Sequence, residues 1–349
     1  MILLKKDKTI LQLCETPREQ RHIISGQYPN VVEDKIYYQV DNPKEIHYAI
    51  WDGERYIRPS DNTVMRKSES AHNFKVFIDT NPKTPPKERY KAVGGYHVGM
   101  GRDELRDCPI SNNLKTVPIY DPIWPDIPQS IFEDNFFHPR HANGLYVFVS
   151  SDGISWKEYH KKPIFSRFTQ CINQNGDPEK NILGLDGSSS IFFDHNISKY
   201  VIYIRANIAL GCRNVLYSHS DDLINWSTPQ LITCDPKFDI KNKQNLYYPA
   251  VYPFEDRYIA FPPHFTSRIL DKSGNNRTYE NEHTPIMFSD DRLNWKTKHT
   301  ILKCNTGKHL YQSLVASFTK EKNKYILYVQ EGFQTPRNSL TRNEIVGDL

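Results

Sequence analysis

The sequence predicts an all-β chain built from repeated four-stranded units, and three observations carry that reading. A short turn motif recurs: SSDGISWKE with Asp152 and Trp156, HSDDLINWSTP with Asp222 and Trp226, and FSDDRLNWKT with Asp291 and Trp295. In each, an acid in a tight turn precedes tryptophan by four residues, and the tryptophans stand 70 and 69 residues apart. Short apolar strands (GLYVFVS, NVLYSHS, TPIMFS) run into every copy, with pairs of strands upstream of them. No long stretch shows the 3.6-residue apolar period of an amphipathic helix.

Taken along the chain, the units fall into place one by one. A weaker copy of the turn, AIWDGERYIRP, pairs Asp52 with Tyr56 and follows the strand IHYAI. Hairpins of first and second strands are expected at Val31–Val40, Phe74–Val93, Ser188–Arg205, Ala250–Phe261 and Leu314–Gln330. The unit is then strand, turn, strand, loop, strand, tight turn and a short strand bearing an aromatic: a four-stranded antiparallel blade. Stacked radially, such blades bury aromatic faces that none can bury alone. Five hairpins predict a five-bladed β-propeller, a single domain over residues 1–349 around a central axial pocket. The last hairpin lacks a full blade after it, so the N-terminal KTILQL is expected to complete it and close the ring. Two β-sandwiches are the rival architecture, and the 70-residue recurrence argues against them.

Composition narrows the class of function. Hydrophobic residues at 38% with 12% aromatics suit a folded globular chain, and 23 prolines with 21 tyrosines suit turn-rich β-structure. The formal charge is +4, with Lys and Arg interspersed among Asp and Glu, so neither nucleic acid nor a membrane is an expected partner. No apolar run approaches the ~20 residues of a membrane span. The start, MILLKKDKTILQLCE, does not read as a signal peptide, and a cytoplasmic location is expected. Six cysteines without a C-x-x-C pair read as free thiols, so no zinc site is expected, and no cofactor.

The runs LDGSSSIFFDHNISKYVIYIR, HNFKVFIDTNPKTPPKERYKAVGG and GLYVFVSSDGISW, with RNVLYSHSDDLINW, resemble the five-bladed propeller glycosidase superfamily. That group includes the arabinanase and xylosidase enzymes of glycoside hydrolase family 43 and the invertase-like enzymes. The chain is most similar to uncharacterised bacterial glycosidase-like propeller proteins, over most of Ile24 to Phe333. The resemblance implies a carbohydrate-active enzyme, a glycoside hydrolase acting on a furanoside or another small glycan in the axial pocket. Phosphorolysis, glycosyl transfer and sugar binding without catalysis remain open, because one fold hosts all of them.

Asp186 opens the inner strand of its blade, where the resemblance implies a carboxylate that tunes the acid and steadies an oxocarbenium-like transition state. A turn residue bonding the Gly187–Ser188 amides is the other reading. Asp194, at the far end of the same hairpin, reads as a turn residue. Hydrolysis ordinarily needs two carboxyl groups, yet the other inner strands open on Gln27 and Tyr28, His72 and Asn73, Asn245 and Tyr247, and His309 and Gln312. No aspartate stands where the family's first-blade nucleophile or base lies. Glu331, ending the strand YILYVQE, is the candidate second carboxylate, against a strand-end glutamate that pairs with a surface lysine. Arg205 and Arg213 are substrate-binding candidates. They can hold Asp186 ionised, bind carboxylate or phosphate, or form inter-blade salt bridges. His264 and His97 are candidates for bonds to sugar hydroxyls, and Arg140 for a contact at a loop exit. The segments 97–142 and 266–283 read as long loops walling one face of the pocket.

Overall fold

The computed structural model describes residues 2–13, 26–40, 45–65, 71–95, 98–99, 144–166, 169–179, 182–208, 212–236, 244–269, 277–303, 313–332, 338–347 and 349. Their strands form five sheets. Sheet 1 runs Gln27–Val32, Lys35–Val40, Glu45–Trp51 and Tyr56–Ile57, each strand antiparallel to the last. Sheet 2 is Lys75–Ile78, Tyr90–Gly95, Gly144–Ser150 and Lys157–Glu158. Sheet 3 is Ile182–Asp194, Lys199–Ile208, Cys212–Ser220 and Gln230–Leu231, with Val98–Gly99 added beside its inner strand. Sheet 4 is Val251–Phe254, Arg257–Ala260, Arg277–Ser289 and Asn294–Lys303. In sheet 5, Ser313–Glu321, Lys324–Glu331 and Ser339–Val346 are followed outward by the N-terminal strand Leu3–Gln12. Each hairpin read from the sequence is the inner pair of one sheet.

Five apolar clusters, each lying between two sheets, order them into a β-propeller. Phe74 and Val76 meet Tyr37 and Tyr48 between sheets 1 and 2, and Phe77 meets Ile191 and Ile202 between sheets 2 and 3. Val201 and Tyr203 meet Val251 and Tyr258 between sheets 3 and 4, and Phe261 meets Val315 and Leu327 between sheets 4 and 5. Ile10, Leu11 and Ala316 meet Ile36 and Tyr38, which joins sheet 5 back to sheet 1. Inner strands therefore carry apolar residues on both faces, as strands covered on both sides must.

The recurring turn has one structure in three places. The serine ending the third strand (Ser150, Ser220, Ser289) donates from Oγ to the aspartate. The aspartate's Oδ1 accepts the N–H groups two and three residues on: Ile154 and Ser155, Ile224 and Asn225, Leu293 and Asn294. The tryptophan donates Nε1–H back to the carbonyl of Gly153, Leu223 or Arg292. Those three residues have φ of 76°, 65° and 74°, the left-handed region that only the first copy fills with glycine. The turn acids are thus consumed by the backbone.

A second repeat was not apparent from the sequence. At four junctions, an acid in the first hairpin turn of one sheet accepts a hydroxyl from the tyrosine that starts the second strand of the next. The pairs are Glu33 with Tyr90 at 2.6 Å, Asp79 with Tyr200 at 2.8 Å, Asp194 with Tyr258 at 2.5 Å and Glu255 with Tyr325 at 3.2 Å. At the closing junction the equivalent position is Ile36. There Ser317 Oγ bonds both the N–H and the carbonyl of Val31, each at 3.0 Å.

One expectation needs correction. The span 266–283 is not a long loop: His264–Ile269 pairs with the first part of Arg277–Ser289 as an antiparallel extension of sheet 4, and Gln244–Leu246 pairs alongside. The pleat satisfies its backbone groups, which a loop of that length would leave to water. Most of 97–142 lies outside the described residues, so the shared-face expectation for the two segments does too.

Candidate active site

In this topology, the starts of inner strands and the ends of second strands share one face of the propeller. On sheet 3, Asp186 stands opposite Arg205, and the next pairing is Ser189 with Ile204. Gly187 and Ser188 are therefore extra residues, a bulge that breaks the pleat at the mouth and re-aims the chain there. The backbone of Asp186 thus lies at the expected end of the strand; its side chain lies outside the described atoms.

Arg205 is only 5% exposed, and its guanidinium carbon lies 4.1 Å from the centre of the Tyr247 ring. Arg213, 6% exposed, approaches the same ring at 5.7 Å. Because Asn207 pairs with Arg213 and Arg205 with Val215, the two arginines sit diagonally on one face of sheet 3. Asn245, in the strand before Tyr247, accepts the Arg213 N–H through Oδ1 at 2.9 Å, fixing that segment against sheet 3. The structure thus brings Arg205 and Arg213 together, with an aromatic face from sheet 4 between them. A guanidinium over a ring keeps its charge while its flat faces are covered.

His264 follows Pro262 and Pro263, and its backbone pairs with Leu246 and His283. Its Nδ1 lies 3.2 Å from Nε2 of His283, with the rings nearly perpendicular. Burial, reinforced by His283, pulls the His264 imidazole down to about 4, so it is neutral at neutral pH. A neutral imidazole has both a donor and an acceptor.

Three tyrosines and a lysine pack beside the arginines, two of them (Tyr28 and Tyr247) already read as inner-strand openings. Tyr28 and Tyr247 share a hydroxyl–hydroxyl bond of 2.6 Å, and Tyr28 stacks on Tyr248 at 6.1 Å between ring centres. Lys75 donates to the Tyr248 hydroxyl at 3.1 Å and to the Ala316 carbonyl at 3.4 Å, so it reaches from sheet 2 toward sheets 4 and 5. Three non-glycine residues in or beside this cluster have left-handed backbones, Tyr28 at φ 49°, Asn73 at φ 52° and Ala250 at φ 43°. Such strain collects where surrounding structure over-determines a position. Asn73 is held by its N–H to Gln39 Oε1 at 2.9 Å.

The structure does not gather every candidate. Glu331 bonds Lys6 Nζ at 2.7 Å and Thr341 Oγ1 at 3.2 Å, both from outer strands of its own sheet. It and Lys6 are substantially exposed, so Glu331 has the geometry of a strand-end glutamate paired with a surface lysine. His97 and Arg140 lie outside the described residues. Among the described residues, no group of three or more His, Cys, Asp or Glu could hold a metal ion, and no helix is long and apolar enough to cross a membrane.

No family model matches this sequence, and no curated protein matches it significantly. Solved structures do match it. An N-acetylgalactosamine deacetylase from F. plautii, in complex with blood group B trisaccharide, superposes with a TM-score of 0.55 at 12% identity, covering 98% of this chain and 94% of that one. A structure described as a glycoside hydrolase gives 0.53 at 12% identity over 99% and 93% of the two chains. A thermostable family-43 glycoside hydrolase gives 0.51 at 11% identity over 93% and 90%. At such low identity these likenesses speak for fold alone: the chain has the β-propeller fold that these solved structures share.

Proposed function

We propose that the chain is a carbohydrate-active enzyme, a glycoside hydrolase that takes a small glycan at the axial mouth. The observation that carries this reading is the convergence at that mouth of the Asp186–Arg205 strand end with Arg213, Tyr247 and His264. The neutral imidazole, with Nδ1 turned to His283, supplies a hydrogen-bonding nitrogen for a hydroxyl, and the arginines packed on the Tyr247 ring supply a field that keeps a nearby carboxylate ionised. Asp186 is the group assigned to stabilise positive charge as the glycosidic bond opens, with water taking the place of the leaving alcohol. Glu331, whose oxygens are engaged by Lys6 and Thr341, is the weaker choice for the partner carboxyl group.

That engagement favours a second reading, a propeller that binds sugar without cleaving it. The two are separated by screening aryl glycosides and oligosaccharides, with and without phosphate, on the wild type and on Asp186→Asn. Hydrolysis by the wild type, lowered by orders of magnitude in a mutant of unchanged melting temperature, supports the enzyme. Turnover that survives in a well-folded mutant removes Asp186 from the site. Saturable binding with no turnover on any substrate leaves the binding module.

A further inference from the structure

Lys75 is 7% exposed and its ammonium is bonded to two neutral oxygens, the Tyr248 hydroxyl and the Ala316 carbonyl. No carboxylate among the described residues pairs with it. The nearest aromatic face, Tyr248 at 5.5 Å, offsets only part of what water would supply. Buried ammonium groups are costly unless a counter-charge meets them. Of the four buried acids that the structure describes, Glu45 bonds His47 Nε2 at 3.1 Å, Glu282 stands next to His283 in its strand, and the other two are committed at hairpin turns. Asp79 is bonded by Lys91, Tyr200 and Thr84, and Asp194 by Tyr258 with Arg292 nearby, all at the hairpin turns on the opposite face. The tyrosine array then links Lys75 to the arginines: Tyr248 stacks on Tyr28, Tyr28 bonds Tyr247, and Tyr247 lies under Arg205 and Arg213. Three buried cations from sheets 2 and 3 thus share one aromatic lining.

We infer that the axial site takes a ligand bearing an oxyanion, with the anionic group seated at Lys75 and the Arg205–Arg213 pair adding to the field that draws it in. Resting on the carbohydrate reading above, this narrows the substrate class to an acidic glycan. The oxyanion is either a carboxylate of the sugar itself or a phosphate, carried by the sugar or free. Both present oxygen acceptors that an ammonium can meet as a point charge and a guanidinium can meet with its fork. Phenol hydroxyls along the lining complete the shell with neutral donors, and a neutral sugar leaves the ammonium with no counter-charge.

The test is calorimetric titration of the full chain with glucuronic acid, glucose 1-phosphate and inorganic phosphate, and with glucose as the neutral control. At least one anion is expected to bind at least tenfold more tightly than glucose, and more weakly as salt rises. If glucuronic acid binds more tightly than either phosphate, the source is a sugar carboxylate; if glucose 1-phosphate or inorganic phosphate binds more tightly, it is phosphate, carried by the sugar or free. Lys75→Met, of similar length and uncharged, should weaken the favoured anion by at least tenfold. If that variant fails to fold, Arg213→Gln should weaken it by several-fold and reduce the salt dependence. Anions that bind no better than glucose, or equally well to both folded variants, overturn the inference. Binding is read without turnover, so its failure is separable from failure of the hydrolase reading: neutral glycans cleaved by a protein indifferent to anions would sink this inference alone.

Discussion

Replacing Tyr258 by phenylalanine removes one hydroxyl and keeps the ring, which stacks on Phe192 at 6.4 Å. The hydroxyl donates to Asp194 Oδ2 at 2.5 Å and accepts from Arg292 Nη1 at 3.0 Å, and the side chain of Asp194 is 3% exposed. A bond to a buried carboxylate is charge-assisted, so its loss costs about 1.5–3 kcal/mol. Asp194 keeps the Asn196 N–H at 3.0 Å and Arg292 at 3.8 Å, which holds the cost within that range. For 349 residues, an unfolding entropy of roughly 2.1 cal/mol/K per residue gives about 0.7 kcal/mol per degree. The expected fall in melting temperature is therefore ~2–4 °C, read by differential scanning calorimetry. Tyr203→Phe is the control, because its hydroxyl meets a neutral carbonyl, that of Arg292, at 3.1 Å. It should cost about 1 kcal/mol. The Asp194–Tyr258 bond lies on the face away from the axial mouth, so ligand binding should be unchanged. A Tyr258→Phe loss no larger than that of Tyr203→Phe would refute the idea that these acid–tyrosine bonds fasten one sheet to the next.

Other perturbations test the remaining electrostatics. Between the unfolded value near 6.5 and the folded value of about 4, His264 binds fewer protons when folded, so its contribution is complete above pH 6.5 and drains as pH falls to 4. The loss is up to about 3 kcal/mol. His264→Phe should flatten melting temperature against pH across that window, and an unchanged slope would assign the proton uptake elsewhere. Burial pushes the Asp222 carboxyl up, but the N–H groups of Asn225 and Ile224 outweigh it and hold it at about 2. Its stabilisation is present above about pH 4 and lost as pH falls toward 2. Asp222→Asn should flatten that acid limb by less than about 1 kcal/mol, because the group is largely exposed to solvent; a steeper limb would contradict the assignment. Lys91→Met strands the buried Asp79 carboxylate, 2.5 Å from Nζ, and should cost about 3–5 kcal/mol in urea unfolding. A loss below about 1 kcal/mol would mean that Tyr200 and Thr84 satisfy Asp79 unaided.

How much of this was legible in the sequence depends on whether a residue repeats. The Asp-to-Trp turn could be read because the same hydrogen bonds demand the same residue types at the same offsets in three places. The N-terminal strand was legible for a different reason: the final unit was one strand short. The acid–tyrosine bonds also repeat but escaped notice, since a tyrosine at a strand start looks like any β-forming residue. Its acid lies 57 to 121 residues away in sequence. Glu331 was chosen from strand-end position alone. Position along a strand fixes which end a residue occupies but not which neighbour takes its charge, and Lys6 comes from a strand at the other end of the chain.

The axis resists sequence reading for a reason intrinsic to radial repeats. Packing between sheets asks the same thing of every unit, so the shell is self-similar; a ligand on the axis meets each unit from a different side, so the lining cannot be. Sheet 1 contributes Tyr28, sheet 2 Lys75, sheet 3 Arg205 and Arg213, and the approach to sheet 4 Tyr247 and Tyr248. Alternation in KVFI by itself would turn a lysine toward water. That rule holds for a strand with one wet face. Here Val76 packs toward sheet 1 and Phe77 toward sheet 3, so neither face is wet, and a lysine at the strand's axial end has only the axis to enter. A charged residue at the inner end of a strand covered on both faces, unlike Lys91 paired with Asp79 at the turn end, is therefore a pointer to the axis, and in a chain of this architecture the departures from the repeat are where candidate site residues are to be sought.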